Sequence, residues 1–410
     1  MKKPILAAAA FILLAAAFLS AQTYVSFRDE WEAVVHNAPW TLGPFRLFPS
    51  LSLRNVGYDD NIYFGVKREP DYTGTFSPEL KVYLPIGGTI LLSASENPEY
   101  TYYVRESARR SFDNSFSAGL KALLLSRFVL SGQYQDGSHR RQLSPEVGIL
   151  VTDRSRGWDA GLSFETANQT VFGLTLYSHD LTFESYQADP GGLTLSEALN
   201  RTESGGRFEI DYRAFYKGYV FLGAETSEYE FDSTSMAWRN AVGRRYFAGA
   251  RFPVGESIEG TVSLGYKEFR PRAEGQADFS GFVGSADLSA RLGRIGLRAR
   301  FGRDNVFSTY TDVLFFIDTT MGAGASFYLT DFIRLDYDFD VGVSDYSAAE
   351  TGGAVDGRTD RHTTHAAGFV VRIFRTTGLG LTWNKAFWTS TVPGWDRQRS
   401  FIGAYLTYRF

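Results

Sequence analysis

Phe332-Ile333-Arg334-Leu335-Asp336-Tyr337-Asp338-Phe339-Asp340-Val341-Gly342-Val343-Ser344 is the stretch on which the fold turns. Counted in twos, Ile333, Leu335, Tyr337, Phe339, Val341 and Val343 share one face, and Arg334, Asp336, Asp338, Asp340 and Ser344 share the other. Successive side chains of a strand point to opposite faces, so the segment offers an apolar stripe to one medium and a charged stripe to another. Wound as a helix, the same carboxylates would be scattered around the axis.

The alternation recurs along the chain. Ile402, Ala404, Leu406, Tyr408 and Phe410 oppose Phe401, Gly403, Tyr405, Thr407 and Arg409. Ile295, Leu297, Ala299 and Phe301 oppose Arg298 and Arg300, and Phe208, Ile210 and Tyr212 oppose Glu209, Asp211 and Arg213. A soluble sandwich and a membrane barrel both produce this pattern; they differ in which stripe faces outward. Three features select the barrel. Tight turns such as Gly87-Gly88, Ser126-Arg127, Tyr216 to Gly218, Gly255-Glu256 and Gly293-Arg294 alternate with longer connections. Aromatic residues crowd the stripe ends at Tyr100 to Tyr103, Phe327-Tyr328 and Tyr408 with Phe410, where interfacial girdles belong. The last stripe runs to Phe410. The expected fold is all-β: a transmembrane antiparallel up-and-down barrel of about eighteen strands, with sixteen the alternative, running from an approximate first segment at 46–55 to a last at 398–410 and occupying residues 46–410. An even number closes the ring and leaves no unpaired edge in lipid.

The first residues place the barrel in an exported chain. Met1-Lys2-Lys3, an apolar run from Ile5 to Leu19, and Ser20-Ala21-Gln22 predict a signal peptide at residues 1–21, and hence a bacterial outer-membrane location. Residues 22–45 form an N-terminal periplasmic segment in which Phe27, Trp31, Val34 and Val35 recur at helical spacing behind a Ser26/Asp29 cap, so a short amphipathic helix is expected over 26–36. Its apolar face has two places to go: the membrane's inner surface, or the barrel mouth as a partial plug. The absence of cysteine excludes disulfides and cysteine-held metals. A net charge of −4 argues against nucleic acid as a partner, and the expected surroundings are outer-membrane lipid and lipopolysaccharide.

No catalytic, cofactor or metal site emerges. His362 and His365 have a metal-like spacing, but on a strand they fall on opposite faces and are expected at the rim. Gly57-Tyr58-Asp59-Asp60-Asn61 offers carboxylates in what is expected to be the first external loop, where a solvated turn accounts for them better than a calcium shell does. The candidate functional surface is the charged face. Its pore-lining residues are Glu209, Asp211, Arg213, Arg298, Arg300, Arg334, Asp336, Asp338, Asp340 and Arg372, with both signs in similar number. The long loop at 181–203 contains a capping box at Thr194-Leu195-Ser196-Glu197 that could start a helix folding inward as a constriction. The expected function is a porin-like channel or conduit for polar solutes and not an enzyme. A surface-structural or adhesion barrel with a closed lumen is the alternative, and a barrel enzyme stands third.

Gly43-Pro44-Phe45-Arg46-Leu47-Phe48-Pro49-Ser50-Leu51 followed by Gly57-Tyr58-Asp59-Asp60-Asn61-Ile62-Tyr63 resembles the outer-membrane β-barrel porin families. Members often look like partners of surface-polysaccharide export systems, so the resemblance implies export components as partners. The segment Tyr405 to Phe410, with Tyr405, Tyr408 and Phe410 as its aromatic positions, is similar to the assembly signal read by the barrel-insertion machinery.

Overall fold

The structure, a computed structural model, describes residues 26–141, 146, 150–186, 193–214, 218–252, 258–310, 313–346, 357–374 and 376–410. The expected signal peptide lies outside them, as do most of the Tyr216 to Gly218 turn, the Gly255-Glu256 turn and the middle of the 181–203 loop.

Among the described residues, helix α1 (Phe27–Asn37) precedes nineteen strands in one antiparallel sheet. They are β1 (Trp40–Leu42), β2 (Phe45–Asp59), β3 (Asp71–Ile86), β4 (Ile90–Tyr103), β5 (Ser111–Leu124), β6 (Phe128–Arg141), β7 (Val151–Glu165), β8 (Val171–Phe183), β9 (Arg201–Arg213) and β10 (Tyr219–Phe231). There follow β11 (Ala241–Phe252), β12 (Ile258–Pro271), β13 (Phe279–Leu292), β14 (Ile295–Phe307), β15 (Phe315–Tyr328), β16 (Ile333–Asp345), β17 (Thr359–Arg372), β18 (Thr377–Ser390) and β19 (Arg397–Arg409). Helix α2 (Leu195–Leu199) lies between β8 and β9. From β2 onward each strand pairs with its neighbours in sequence, and β19 returns to pair with β2. The eighteen strands β2–β19 therefore close into an up-and-down barrel, and β1 only folds back on β2 over three residues.

Exposure decides between sandwich and membrane barrel. On β16 Leu335 is 41% exposed and Tyr337 47%, while Asp340 on the opposite face is 3% exposed. Leu381 and Ile402 on β18 and β19 are 58% and 61% exposed. A soluble sheet hides its apolar stripe and wets its charged one. Here the order is reversed, as it is when the outer medium is hydrocarbon.

Gly87 and Gly88, with φ of +59° and +74°, make the β3–β4 hairpin. Two successive left-handed residues match the twist of the strands they join, and glycine adopts that conformation without a Cβ clash. The strands overrun the alternation at the opposite end. β2 continues to Asp59, four residues past the segment expected at 46–55, β6 runs to Arg141, and β7 begins at Val151. The ladder continues there with polar residues on both faces, such as Asp136 and Arg154 outward, so period-two hydropathy fades before the pairing does.

α1 takes the second of its two expected positions. Ser26 caps it by accepting the Asp29 N–H at 3.2 Å. Its Phe27 and Val34 are buried against Leu91, with Trp31, Phe48, Tyr83, Leu123 and Val129 around them, and Glu30 pairs with Lys121 at 2.6 Å. Phe48, Tyr83, Leu91 and Lys121 belong to the lumenal rows of β2–β5, so the helix stands inside the mouth at the short-turn end.

The Gly57 to Asn61 segment is not a solvated external turn. Asp59 and Asn61 are 1% and 0% exposed and fasten the first strand to the last. Asp59 accepts from Arg399 Nε at 2.8 Å, Asp60 N–H donates to the Ser400 carbonyl at 3.0 Å, and Asn61 Nδ2 donates to the Gln398 carbonyl at 2.8 Å. At the other end of the same seam the Trp40 ring meets Phe410 at 4.9 Å.

Candidate lumenal site

A cavity of 1340 Å³ occupies the lumen, lined by residues of β2–β6 and of β13–β19, with Phe183, Arg201 and Glu203 of β8 and β9 between them. Among the described residues its wall holds seven arginines (Arg109, Arg140, Arg141, Arg201, Arg298, Arg300 and Arg399) and seven carboxylates (Glu99, Asp113, Glu203, Asp287, Asp318, Asp338 and Asp340). Of the residues expected to line a pore, Arg298, Arg300, Asp338 and Asp340 come together here.

The register explains their geometry. Arg298 and Arg300 on β14 stand opposite Gly324 and Gly322 on β15, which in turn stand opposite Asp338 and Asp340 on β16. With no side chains on the middle strand, the arginines reach across it. Arg298 Nη2 donates to Asp338 at 2.8 Å, and Arg300 Nη2 donates to Asp340 at 2.8 Å and to Asp338 at 3.3 Å. A Cβ at Gly324 would run into the Asp338 carboxylate. Lower on the same wall Asp336 accepts from Arg334 Nε at 2.9 Å and Ser326 Oγ at 2.5 Å. The salt-bridged wall and the charged lumen are thus one feature where the Arg298–Asp338 and Arg300–Asp340 pairs face the cavity while they tie non-adjacent strands.

The other residues lie apart. Glu209 and Asp211 share Arg251, which reaches them from β11 across the Phe221 ring, 4.1 Å from the guanidinium. Arg213 bonds Gln169 at the short-turn end of β9, and Arg372 is exposed at the short-turn end of β17, outside the cavity. Tyr405 turns into the lumen over Gly380, whereas Tyr408 and Phe410 pack edge to face at 4.6 Å beside the seam. The histidines part as the strand period requires, but neither sits simply at the rim. His365 is on the lipid face, its Nδ1 2.9 Å from the Tyr337 hydroxyl, and His362 is buried in the lumen on Trp388. Among the described residues no group of three or more acidic or histidine side chains could hold a metal ion.

At the long-loop end the connections fold inward. Thr194 caps α2 with a reciprocal Thr194/Glu197 box, and Leu195, Ala198 and Leu199 are buried against Val151. The Thr194 backbone N–H and hydroxyl bonded to Glu197 hold its carboxyl below the usual carboxylate range. Leu199 lines the cavity, so the loop narrows it. Sequence reasoning missed the residue that locks this arrangement. Arg239, fully buried in the β10–β11 connection, donates to the carbonyls of Ala198, Ser308, Val313 and Tyr310, joining three connections at one guanidinium. These carbonyls are backbone atoms of the connections, which leave no pattern in hydropathy.

Residues 154–410 match the family described as Putative beta-barrel porin 2, over more than half of the chain. The chain belongs to this family. It is an outer-membrane porin-like barrel, and the match covers β8–β19 and most of β7, while the Gly43 to Tyr63 motifs lie outside it. Among solved structures, OccK2 (OpdF) of Pseudomonas aeruginosa in complex with glucuronate shares the fold, with a TM-score of 0.53 at 13% identity over 89% of this chain and 98% of the other. A second OccK2 (OpdF) structure gives 0.52 at 13% identity, over 89% and 97%. The pesticin receptor of Yersinia enterocolitica is 26% identical over 133 residues. That match covers 31% of this chain and spans 19% of the length of the receptor. These relatives are porins and receptors rather than enzymes.

Proposed function

We propose that this barrel is a channel for small polar solutes, with a lumen narrowed at both mouths. The observation that carries the reading is the 1340 Å³ cavity with arginines and carboxylates in equal number on its wall. Eighteen strands enclose more space than wall side chains alone fill, and a balanced wall orients a polar solute without demanding one sign of charge. The glucuronate held by the OccK2 barrel, a small polar molecule, is consistent with this size class. Polymer export, implied by the resemblance to export-associated porins, fits less well, because α1 and the Arg239-locked loops narrow both ends. Those same contacts favour the second reading, a surface-structural barrel with a closed lumen. The two are separated by planar-bilayer recordings of the full chain and of a variant lacking residues 23–40. The channel reading expects weakly selective conductance that rises without α1. Silence of both proteins at every voltage and salt concentration would leave the closed barrel.

A further inference from the structure

Outside the lumen, the outward rows of β14–β18 carry three full cations against one carboxylate. By register these are Arg303 on β14, Arg361 on β17 and Lys385 on β18, with Asp345 on β16 the one acid. A single row of the sheet runs from Arg303 through Thr319 and Val343 to Arg361. Lys385 stands opposite His365, which follows Arg361 by four residues toward the short-turn end. With adjacent strands ~4.8 Å apart and ~3.4 Å per residue along each, the Arg361 Cα lies about 14 Å from each of the other two.

On β7 and at the end of β12 the outward arginines are matched. Arg154 and Arg156 both bond Asp136, Arg270 bonds Glu268, and Arg272 bonds Glu228 and Glu230. On β14–β18 they are not, for among the described residues none of the three cations forms an ion pair with Asp345 or any other carboxylate. Arg303 donates from Nη1 to Thr319 Oγ1 at 2.7 Å and from Nε to the Phe282 carbonyl at 3.3 Å, which fixes the guanidinium without neutralising it. Arg361 is exposed, and Lys385 extends its ammonium over the Phe387 ring at 5.3 Å, toward the level of Arg361. On the short-turn side the same rows turn apolar and exposed at Trp383, Leu381 and Phe369. The long loops of an outer-membrane barrel are external, so the cations stand at the external border of the lipid belt.

We infer that Arg303, Arg361 and Lys385 dock a phosphorylated glycolipid of the outer leaflet, its acyl chains lying on the apolar rows beneath them. Guanidinium groups match phosphate oxygens in charge and in fork geometry, and an ammonium adds a point charge. The spacing selects a headgroup with more than one phosphate on a saccharide core, since one small anion cannot reach all three cations. Thr363 and Thr389, in the outward rows between Lys385 and Arg361, supply hydroxyls for the sugar. A free phosphate would leave the apolar rows unused, and a zwitterionic phospholipid would bring a cation to a surface that already has three. The site lies on the outer wall, so it stands whether or not the lumen conducts.

The test titrates the delipidated full chain in detergent with bisphosphorylated lipid A and with dephosphorylated lipid A of the same acyl chains, counting bound lipid by native mass spectrometry. Arg361→Gln with Lys385→Gln removes two cations from the site, and Arg154→Gln with Arg156→Gln removes two from the matched sector. Saturable retention of the bisphosphorylated lipid is expected in the wild type. It should weaken roughly thirtyfold in the first double variant, at the usual worth of two basic residues near an anionic surface, and stay unchanged in the second. Heat-modifiable migration checks folding; should the first double variant not fold, Lys385→Gln alone replaces it, with about a fivefold weakening expected. Equal retention of the two lipids by the wild type, or equal losses in the two double variants, overturns the site. So does retention of phosphatidylglycerol or inorganic pyrophosphate as tightly as of bisphosphorylated lipid A, the first showing a general anionic-lipid surface and the second a phosphate site that ignores the acyl chains.

Discussion

Leu335 and Asp336 are adjacent in sequence and face different media. Leu335 is 41% exposed on the outer face, and Asp336 points inward to Arg334 and Ser326. Leu335→Arg puts a cation in lipid toward the short-turn side of the belt. Its cost should fall between the ~1 kcal/mol of the interface and the ~2–4 kcal/mol of the midplane. Asp336→Arg breaks pairs at the lumen but leaves the lipid face intact, so folding yield in lipid vesicles should fall more for Leu335→Arg, and equal yields would refute the assigned faces. Gly324 gives a second residue-scale test. A side chain there displaces the Asp338 carboxylate from Arg298, so Gly324→Val should lower the midpoint of urea unfolding, whereas the same change at Gly88, in the open β3–β4 turn, would act through backbone strain alone. At this scale the faces of Asp336, Asp338, Asp340, Arg298 and Arg300 were legible, because period-two alternation fixes direction. Their partners were not, because register across three strands is invisible in one stripe.

The strands were legible as elements wherever one face meets lipid, and their far ends were not, because above the lipid both faces are polar. α1 and α2 were legible from their caps. The destination of α1 is not legible, since an apolar helical face says only that it must be covered. The connection carrying Arg239 had no signature at all. A buried guanidinium bound by carbonyls from two other connections can be removed only by releasing them, so Arg239→Met should loosen the long-loop mouth without unfolding the barrel. The expected outcome is a larger, noisier single-channel conductance with heat-modifiable migration retained; unchanged conductance would mean that these loops do not set the constriction. The α2 cap adds a pH dependence. Glu197 has a lowered carboxyl pKa in the folded state, so its contribution is present above the ordinary glutamate range and is lost as the pH falls through the depressed value.

For the whole molecule, the equal numbers of arginines and carboxylates on the cavity wall predict weak ion selectivity. Replacing Asp336, Asp338 and Asp340 by Asn leaves Arg298, Arg300 and Arg334 uncompensated, and the reversal potential should move toward anions. Arg372, exposed at the mouth, stands apart from this group. The shift should shrink in high salt, where the Debye length is ~3 Å at 1 M; a shift independent of salt would contradict a screened lumenal field. Phe410 belongs to this scale as well, because its contacts with Trp40 and Tyr408 finish the seam. Its deletion should reduce the amount of folded protein in the outer membrane, measured by heat-modifiable migration, and normal abundance would show the seam to be self-sufficient without it.

The Asp59–Arg399 clasp joins residues 340 positions apart. Bringing such distant segments together costs about 5 kcal/mol of chain entropy, and no seam contact is gained until they meet. Every other strand pair in the ring can form between sequence neighbours at far lower entropic cost. The barrel therefore has one kinetic bottleneck, set by its circular topology: hairpins accumulate as an open, curved sheet, and the last event is the meeting of β2 with β19. Amide exchange should record the reverse of that order, with β2 and β19 exposing their backbone first when the folded ring opens.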